Sequence, residues 1–183
     1  MNIIKTEIEG PLIIEPRIFG DSRGYFFESF NARDFEEQTG IKVMFVQDNE
    51  SKSTYGVVRG LHYQLPPYAQ AKLVRVVQGA VLDVAVDIRR TSPTYGQHVA
   101  VELTADNHRQ FYMPHGFAHG FAVLSETAVF QYKCDSYYHP ESEGAIAWDD
   151  PSLGIDWRIA RDRVLLSDKD RHHPLLRDIA SPF

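Results

Sequence analysis

The chain has 183 residues, enough for one domain with a sizeable core, and its 43% hydrophobic and 12% aromatic content excludes a disordered polymer. A formal charge of −6 disfavours a general nucleic-acid surface, while a small anion site built from a few arginines stays open. The only cysteine, Cys134, excludes an intrachain disulfide and a multi-cysteine zinc site and points to a reducing, cytoplasmic setting.

In chain order, the opening "MNIIKTEIEGPLIIEP" scatters acids among its apolar residues and lacks the basic flank and apolar block of a secretory signal. No apolar run approaches the ~20 residues of a membrane helix. The stretch "NARDFEEQTG" predicts a helix, with Asn31 as its cap and Gly40 as its stop. From Val43 to about Trp157, period-two patterns dominate and predict short strands. In "VVRGLHYQLPP", strict alternation sends Arg59 and His62 to opposite faces, so Gly60 must mark a bulge or twist if both serve one pocket. The Pro66-Pro67 pair ends that strand. After "KLVRVVQ" comes "AVLDVAVDIRR", where Leu82, Val84, Val86 and Ile88 share one face and Asp83 and Asp87 the other. "HVAVEL", "GFAVL" and "TAVFQYK" follow, the last with Phe130 and Tyr132 on one face and Gln131 and Lys133 on the other. A second helical stretch is predicted near "DKDRHHPLLRD". Without linker or repeat, residues 1–183 read as one all-β domain, a sandwich or barrel with a few short helices.

The P-x-G-x-x-H spacing in "PHGFAHGF" (Pro114, Gly116, His119) resembles the second motif of the cupin superfamily, which implies a jelly-roll β-barrel. Metal-binding cupins supply H-x-H and a glutamate from the first motif. Here "HYQLPPYAQAK" offers His62, then Gln64, with Lys72 beyond, and an ammonium near the cavity repels a divalent cation. No metal and no cofactor are expected.

Four longer segments, "FGDSRGYFFESF", "FVQDNESKSTYGVVRGLHYQLPPYAQAKLVRVVQGAVLDVAVDIRRTSPTYG", "MPHGFAHGFAVLSETAVFQYK" and "WDDPSLGIDW", together resemble the dTDP-4-dehydrorhamnose 3,5-epimerase family, from about Phe19 to Asp170. The resemblance implies inversion of carbons 3 and 5 of dTDP-4-dehydro-6-deoxy-D-glucose. That chemistry needs a base for a proton α to a carbonyl, a cation for the enolate oxygen, and an acid for the opposite face. Histidine as a residue type, with an ordinary pKa of ~6.5, suits the base, and His62 is the choice. The resemblance gives it an aspartate partner best matched by Asp170, with Asp168 as rival, and makes Tyr132 the proton donor. Lys72 is the oxyanion stabiliser. In isolation, Lys72 would read as a solvated strand-end lysine and Tyr132 as core packing; the motif context decides otherwise.

By the same resemblance, Arg23, Glu28, Gln47, Asn49, Arg59, Lys72, His119, Glu143 and Lys169 bind the dTDP-sugar, and Tyr138 stacks on thymine. Arg23 and Arg59 suit the diphosphate, because guanidinium donates in a planar fork. The family is dimeric, with N-terminal strands crossing between subunits, so Arg23 can serve either pocket. A single-carbon epimerase or ketoisomerase of the same superfamily, or a non-catalytic dTDP-sugar-binding cupin, would share most of these residues.

Overall fold

The computed structural model describes residues 1–181 and 183. The chain runs β1 (Asn2–Lys5), β2 (Leu12–Glu15), β3 (Phe19–Asp21), β4 (Gly24–Phe26), α1 (Ala32–Thr39), β5 (Gln47–Thr54), β6 (Val58–Gln64), β7 (Lys72–Gln78) and β8 (Ala80–Asp87). It continues with β9 (His98–Thr104), β10 (Gln110–Met113), β11 (Phe117–Val123), β12 (Thr127–Cys134) and β13 (Glu143–Ala145). Six strands form one antiparallel sheet in the order β1-β2-β10-β7-β12-β5, and five form a second in the order β13-β6-β11-β8-β9. This is the expected cupin-like β-architecture. The short β3–β4 hairpin stands apart from both sheets.

Apolar side chains fill the space between the sheets, with Val74, Val76, Phe111 and Phe130 from the larger meeting Val81, Ala85 and Phe121 from the smaller. The outer faces are covered as well. Helix α1 lays Phe35 on Tyr112 and Leu73 of the larger sheet, while the irregular C-terminal segment lays Leu153, Trp157 and Leu176 on Leu82, Val84 and Val86 of the smaller. Strand β8 is therefore buried on both faces, and its aspartates lie in the protein interior: Asp83 and Asp87 are both 0% exposed. The alternation in "AVLDVAVDIRR" assigns the faces correctly without revealing that the polar face is enclosed.

The helix forms where its caps lie. Asn31 Oδ1 accepts from the backbone N–H groups of Arg33 and Asp34, and Gly40, at φ 72°, closes the last turn with its N–H on the Glu36 carbonyl. The predicted second helix is reduced to isolated 3₁₀ turns at Asp170–His172 and Leu176–Asp178. Pro174, between them, lacks the N–H a continuing helix requires.

Gly60 behaves as the alternation argument requires. Its φ of 124° suits glycine alone, and a Cβ there would stand 2.5 Å from the Gly120 Cα and 2.7 Å from the His119 carbonyl oxygen. The β6–β11 register shifts between His119 and Phe121 at this close approach, and the Gly60–Leu61 peptide bond is cis.

A candidate active site between the sheets

A cavity of about 290 Å³ is lined from both sheets. Gln47 and Asn49 of β5, Lys72 of β7 and Tyr132 of β12 come from the larger sheet, which sets Tyr132 opposite both Asn49 and Val74 and Cys134 opposite both Gln47 and Lys72. His62 and Gln64 of β6 and Glu143 of β13 complete the wall, with Tyr138 from the preceding loop. Phe130 and Tyr132 share a face, with ring centroids 6.0 Å apart, while Gln131 and Lys133 turn outward to Glu50 and Asp48.

His62 meets the C-terminal segment here. Its Nε2 is 2.7 Å from Asp170 Oδ1, and Ser167 Oγ donates to the other carboxylate oxygen at 2.7 Å. Asp170 is buried, whereas the rival Asp168 is fully exposed. Burial works against the Asp170 carboxylate, but the bonds from His62 and Ser167 outweigh it and hold its pKa below the ordinary range. Ser167 was not anticipated; the only hint in the sequence is a hydroxyl three residues before an aspartate, which suits a turn. His173 was also missed, and it packs edge-on against His62. Burial lowers its pKa, helped by His62 and opposed by Asp170 and the Gly60 backbone.

On the other side of the β6–β11 pairing, where His119 is the register partner of His62, His119 Nε2 contacts both Asp83 oxygens at 3.0 and 2.9 Å. Burial pushes Asp83 up and His119 down. His119 is 8% exposed and, as the register partner of His62, points to the same face of its sheet, where it pairs with Asp83 in the barrel interior. Burial likewise lowers the pKa of Lys72, with Cys134, Asp83 and Glu143 pulling towards the ammonium. Tyr132 is raised by burial and stays a neutral phenol at neutral pH, with Arg59 pulling the other way. The Cys134 thiol is pushed up to about 11 by burial, which leaves it unreactive.

Glu143 Oε2 accepts from both the Tyr138 hydroxyl, at 2.9 Å, and Lys169 Nζ. Burial raises the Glu143 pKa, but the bonds from Lys169 and Tyr138 prevail and keep it ionised. Arg59 is exposed and holds Ser53 Oγ at 3.2 Å through both Nε and Nη2, beside the cavity and not on its wall. Arg23 and Glu28 lie apart within the chain. Arg23 pairs with Asp21 at the exposed β3–β4 hairpin, and Glu28 accepts from the Asn31 amide. Gln64, read from sequence as a lost metal ligand, is engaged in structure-holding bonds: its amide donates to the Tyr68 and Tyr137 carbonyls and accepts from the His139 N–H. Among the described residues, three metal-ligating side chains do converge elsewhere, His62, Asp170 and His173. No helix among the described residues is long and apolar enough to cross a membrane.

A dTDP-4-dehydrorhamnose 3,5-epimerase from Shigella flexneri is 60% identical over 170 residues, covering 93% of each chain. The crystal structure of a dTDP-4-dehydrorhamnose 3,5-epimerase from Elizabethkingia anophelis superposes with a TM-score of 0.94 at 54% identity, covering 97% of both chains. A dTDP-6-deoxy-D-glucose-3,5-epimerase from Legionella pneumophila, solved in complex with dTDP-4-keto-L-rhamnose, gives a TM-score of 0.94 at 56% identity, covering 98% of this chain and 94% of that one. The family model for dTDP-4-dehydrorhamnose 3,5-epimerase matches residues 5–178, and the chain belongs to that family.

Proposed function

We propose that the protein epimerises carbons 3 and 5 of dTDP-4-dehydro-6-deoxy-D-glucose to give dTDP-4-dehydro-L-rhamnose. The observation that carries this reading is the meeting of the His62–Asp170 pair, Lys72 and the Tyr132 phenol around one cavity. With its Nε2–H donated to Asp170, His62 keeps a lone pair on Nδ1 for the α-proton. Electrons from the broken C–H bond move onto the C4 oxygen, where the Lys72 ammonium stabilises the enolate. Tyr132 then delivers a proton to the other face of the same carbon. Both carbons flank one carbonyl, so a single base and acid serve each in turn. His62 afterwards returns its proton to solvent, and Tyr132 regains one.

In this reading Arg59 holds the diphosphate, Gln47, Asn49, His119, Glu143 and Lys169 position the nucleotide sugar, and Tyr138 stacks on the base. The chain acts as one domain, without metal or cofactor, in the cytoplasm as a homodimer. Arg23 and Glu28, remote from their own cavity, serve the partner's pocket. The exposed aromatics Phe19, Tyr25 and Phe26 around Arg23 give that hairpin the apolar surface a partner would cover.

The test is an NMR time course in heavy water with the keto-sugar nucleotide. Deuterium should enter at both carbons as the L-sugar accumulates; incorporation at one carbon alone would indicate a single-carbon epimerase, and none a binding protein. Tyr132→Phe should still exchange the α-proton with retained configuration, while product formation drops about 10²–10⁴-fold. Parent-rate epimerisation of both carbons would remove Tyr132 as the acid.

A further inference from the structure

His173 has no role in the reaction described above, yet it occupies a chemically loaded position. Its ring lies 5.4 Å from that of His62, centroid to centroid and edge-on, and its Nδ1 is 3.9 Å from Asp170 Oδ1. Its side chain is 9% exposed, and among the described residues neither ring nitrogen has a hydrogen-bond partner of good geometry. A buried polar group left unpaired is unfavourable, and a ligand that engages it relieves that. One ligand atom from each of His62, Asp170 and His173 lies within 4.8 Å of the others. Zinc binds nitrogen and oxygen at about 2.0–2.2 Å, so tetrahedral ligands stand about 3.4 Å apart, within reach of small ring and carboxylate rotations. Ser167 braces the carboxylate from behind, as an outer-shell partner should. The lysine whose charge bears on this group, Lys169, is already paired with Glu143.

We propose that His62, Asp170 and His173 form a site for a divalent transition ion of the zinc class, with the fourth position open to water, and that occupation of this site switches the enzyme off. This rests on the reading of His62 as the base. The ion takes the place of the proton between His62 Nε2 and Asp170, and that proton moves to Nδ1. The lone pair that would accept the α-proton is then gone, with no net change in bound protons. Such a site shares His62 with the cupin metal position that Gln64 and Lys72 spoil, but draws its other ligands from the C-terminal segment.

The experiment titrates the purified protein with Zn²⁺ in calorimetry, and with Co²⁺ followed by visible absorption, alongside proton exchange in heavy water. One ion should bind per chain, cobalt should give the intense bands of four-coordinate geometry, and exchange should fall in proportion to occupancy and return on chelation. His173→Gln, checked by its melting curve, should weaken binding at least tenfold and keep the metal-free exchange rate; His173→Asn serves if the first variant is unfolded. His172→Ala, at an exposed neighbour, should bind like the parent. Absence of a stoichiometric site, unchanged affinity in the His173 variant, loss of binding in the His172 variant, or full activity with the ion bound would each overturn the proposal. If the metal binds as described but the metal-free protein exchanges no α-proton, the site stands and the epimerase reading fails.

Discussion

Two histidine–aspartate pairs, whose histidines are register partners on neighbouring strands, are the same chemistry in opposite surroundings. His62 and Asp170 meet at the cavity, where the histidine side chain is 30% exposed and the carboxylate has a second donor in Ser167. His119 and Asp83 meet inside the barrel, at 9% and 0% exposure, and His119 is the donor found at Asp83. The first carboxylate is consequently held below its ordinary pKa and the second is raised above it. Burial alone disfavours the ionised form of a carboxylate, and the number of donors it meets decides how far that is offset. Asp87, four residues along β8 from Asp83, is likewise unexposed but less deeply enclosed, and it meets more donors. It accepts from Arg89, Ser92 and Thr94, and its pKa falls to about 2 despite desolvation.

The largest effect expected from breaking this comparison is at His62. His62→Ala should abolish α-proton exchange, a loss of about 10²–10⁴-fold or more, with dTDP affinity measured by calorimetry nearly unchanged. His119→Asn should retain proton exchange at C3 and C5; if the two variants exchanged these outcomes, the roles of the pairs would be reversed.

A smaller effect separates charge from hydrogen bonding in the buried pair. Asp83→Asn keeps an acceptor for His119 but removes a negative charge that favours the Lys72 ammonium. The rate should fall by up to about 10²–10³-fold at neutral pH, the range for losing one oxyanion donor. Because the Lys72 pKa drops further, the alkaline limb of the kcat profile should move to lower pH, and acidification should recover activity. A profile superimposable on the parent's would separate Asp83 from Lys72.

The smallest effect is on stability, and its sign distinguishes the two aspartates of β8. A group whose folded pKa is depressed stabilises above its unfolded value and loses that contribution as pH falls through the folded one. Asp87 should therefore contribute about 2 kcal/mol above pH ~4, vanishing towards pH ~2, and Asp87→Asn should lower stability by about that amount at neutral pH. Asp83, with its raised pKa, works in the reverse sense, so Asp83→Asn should leave the melting temperature unchanged or higher. Urea unfolding of both variants at pH 7 and pH 3 checks this. Equal losses at pH 7 would mean the two carboxylates are not differently solvated.

How far the sequence reached can be judged from single residues. Alternation placed Tyr132 beside Phe130 and pointed to an irregularity at Gly60, because both follow from backbone geometry within one strand. Asn31 and Gly40 bounded the helix for the same local reason. The motifs carried the family and brought His62, Lys72, Tyr132, Gln47, Asn49, Tyr138 and Glu143 to one cavity. What only the tertiary structure decided was partnership over long separations. Asp170, not Asp168, meets His62 across 108 residues because the C-terminal segment docks on β6 and buries one of the two. Asp83 and Asp87 looked alike in the sequence, as polar residues on one face of a strand. Which became a raised carboxylate and which a locked one depended on the donors that other segments brought to them, and no periodicity along β8 encodes that.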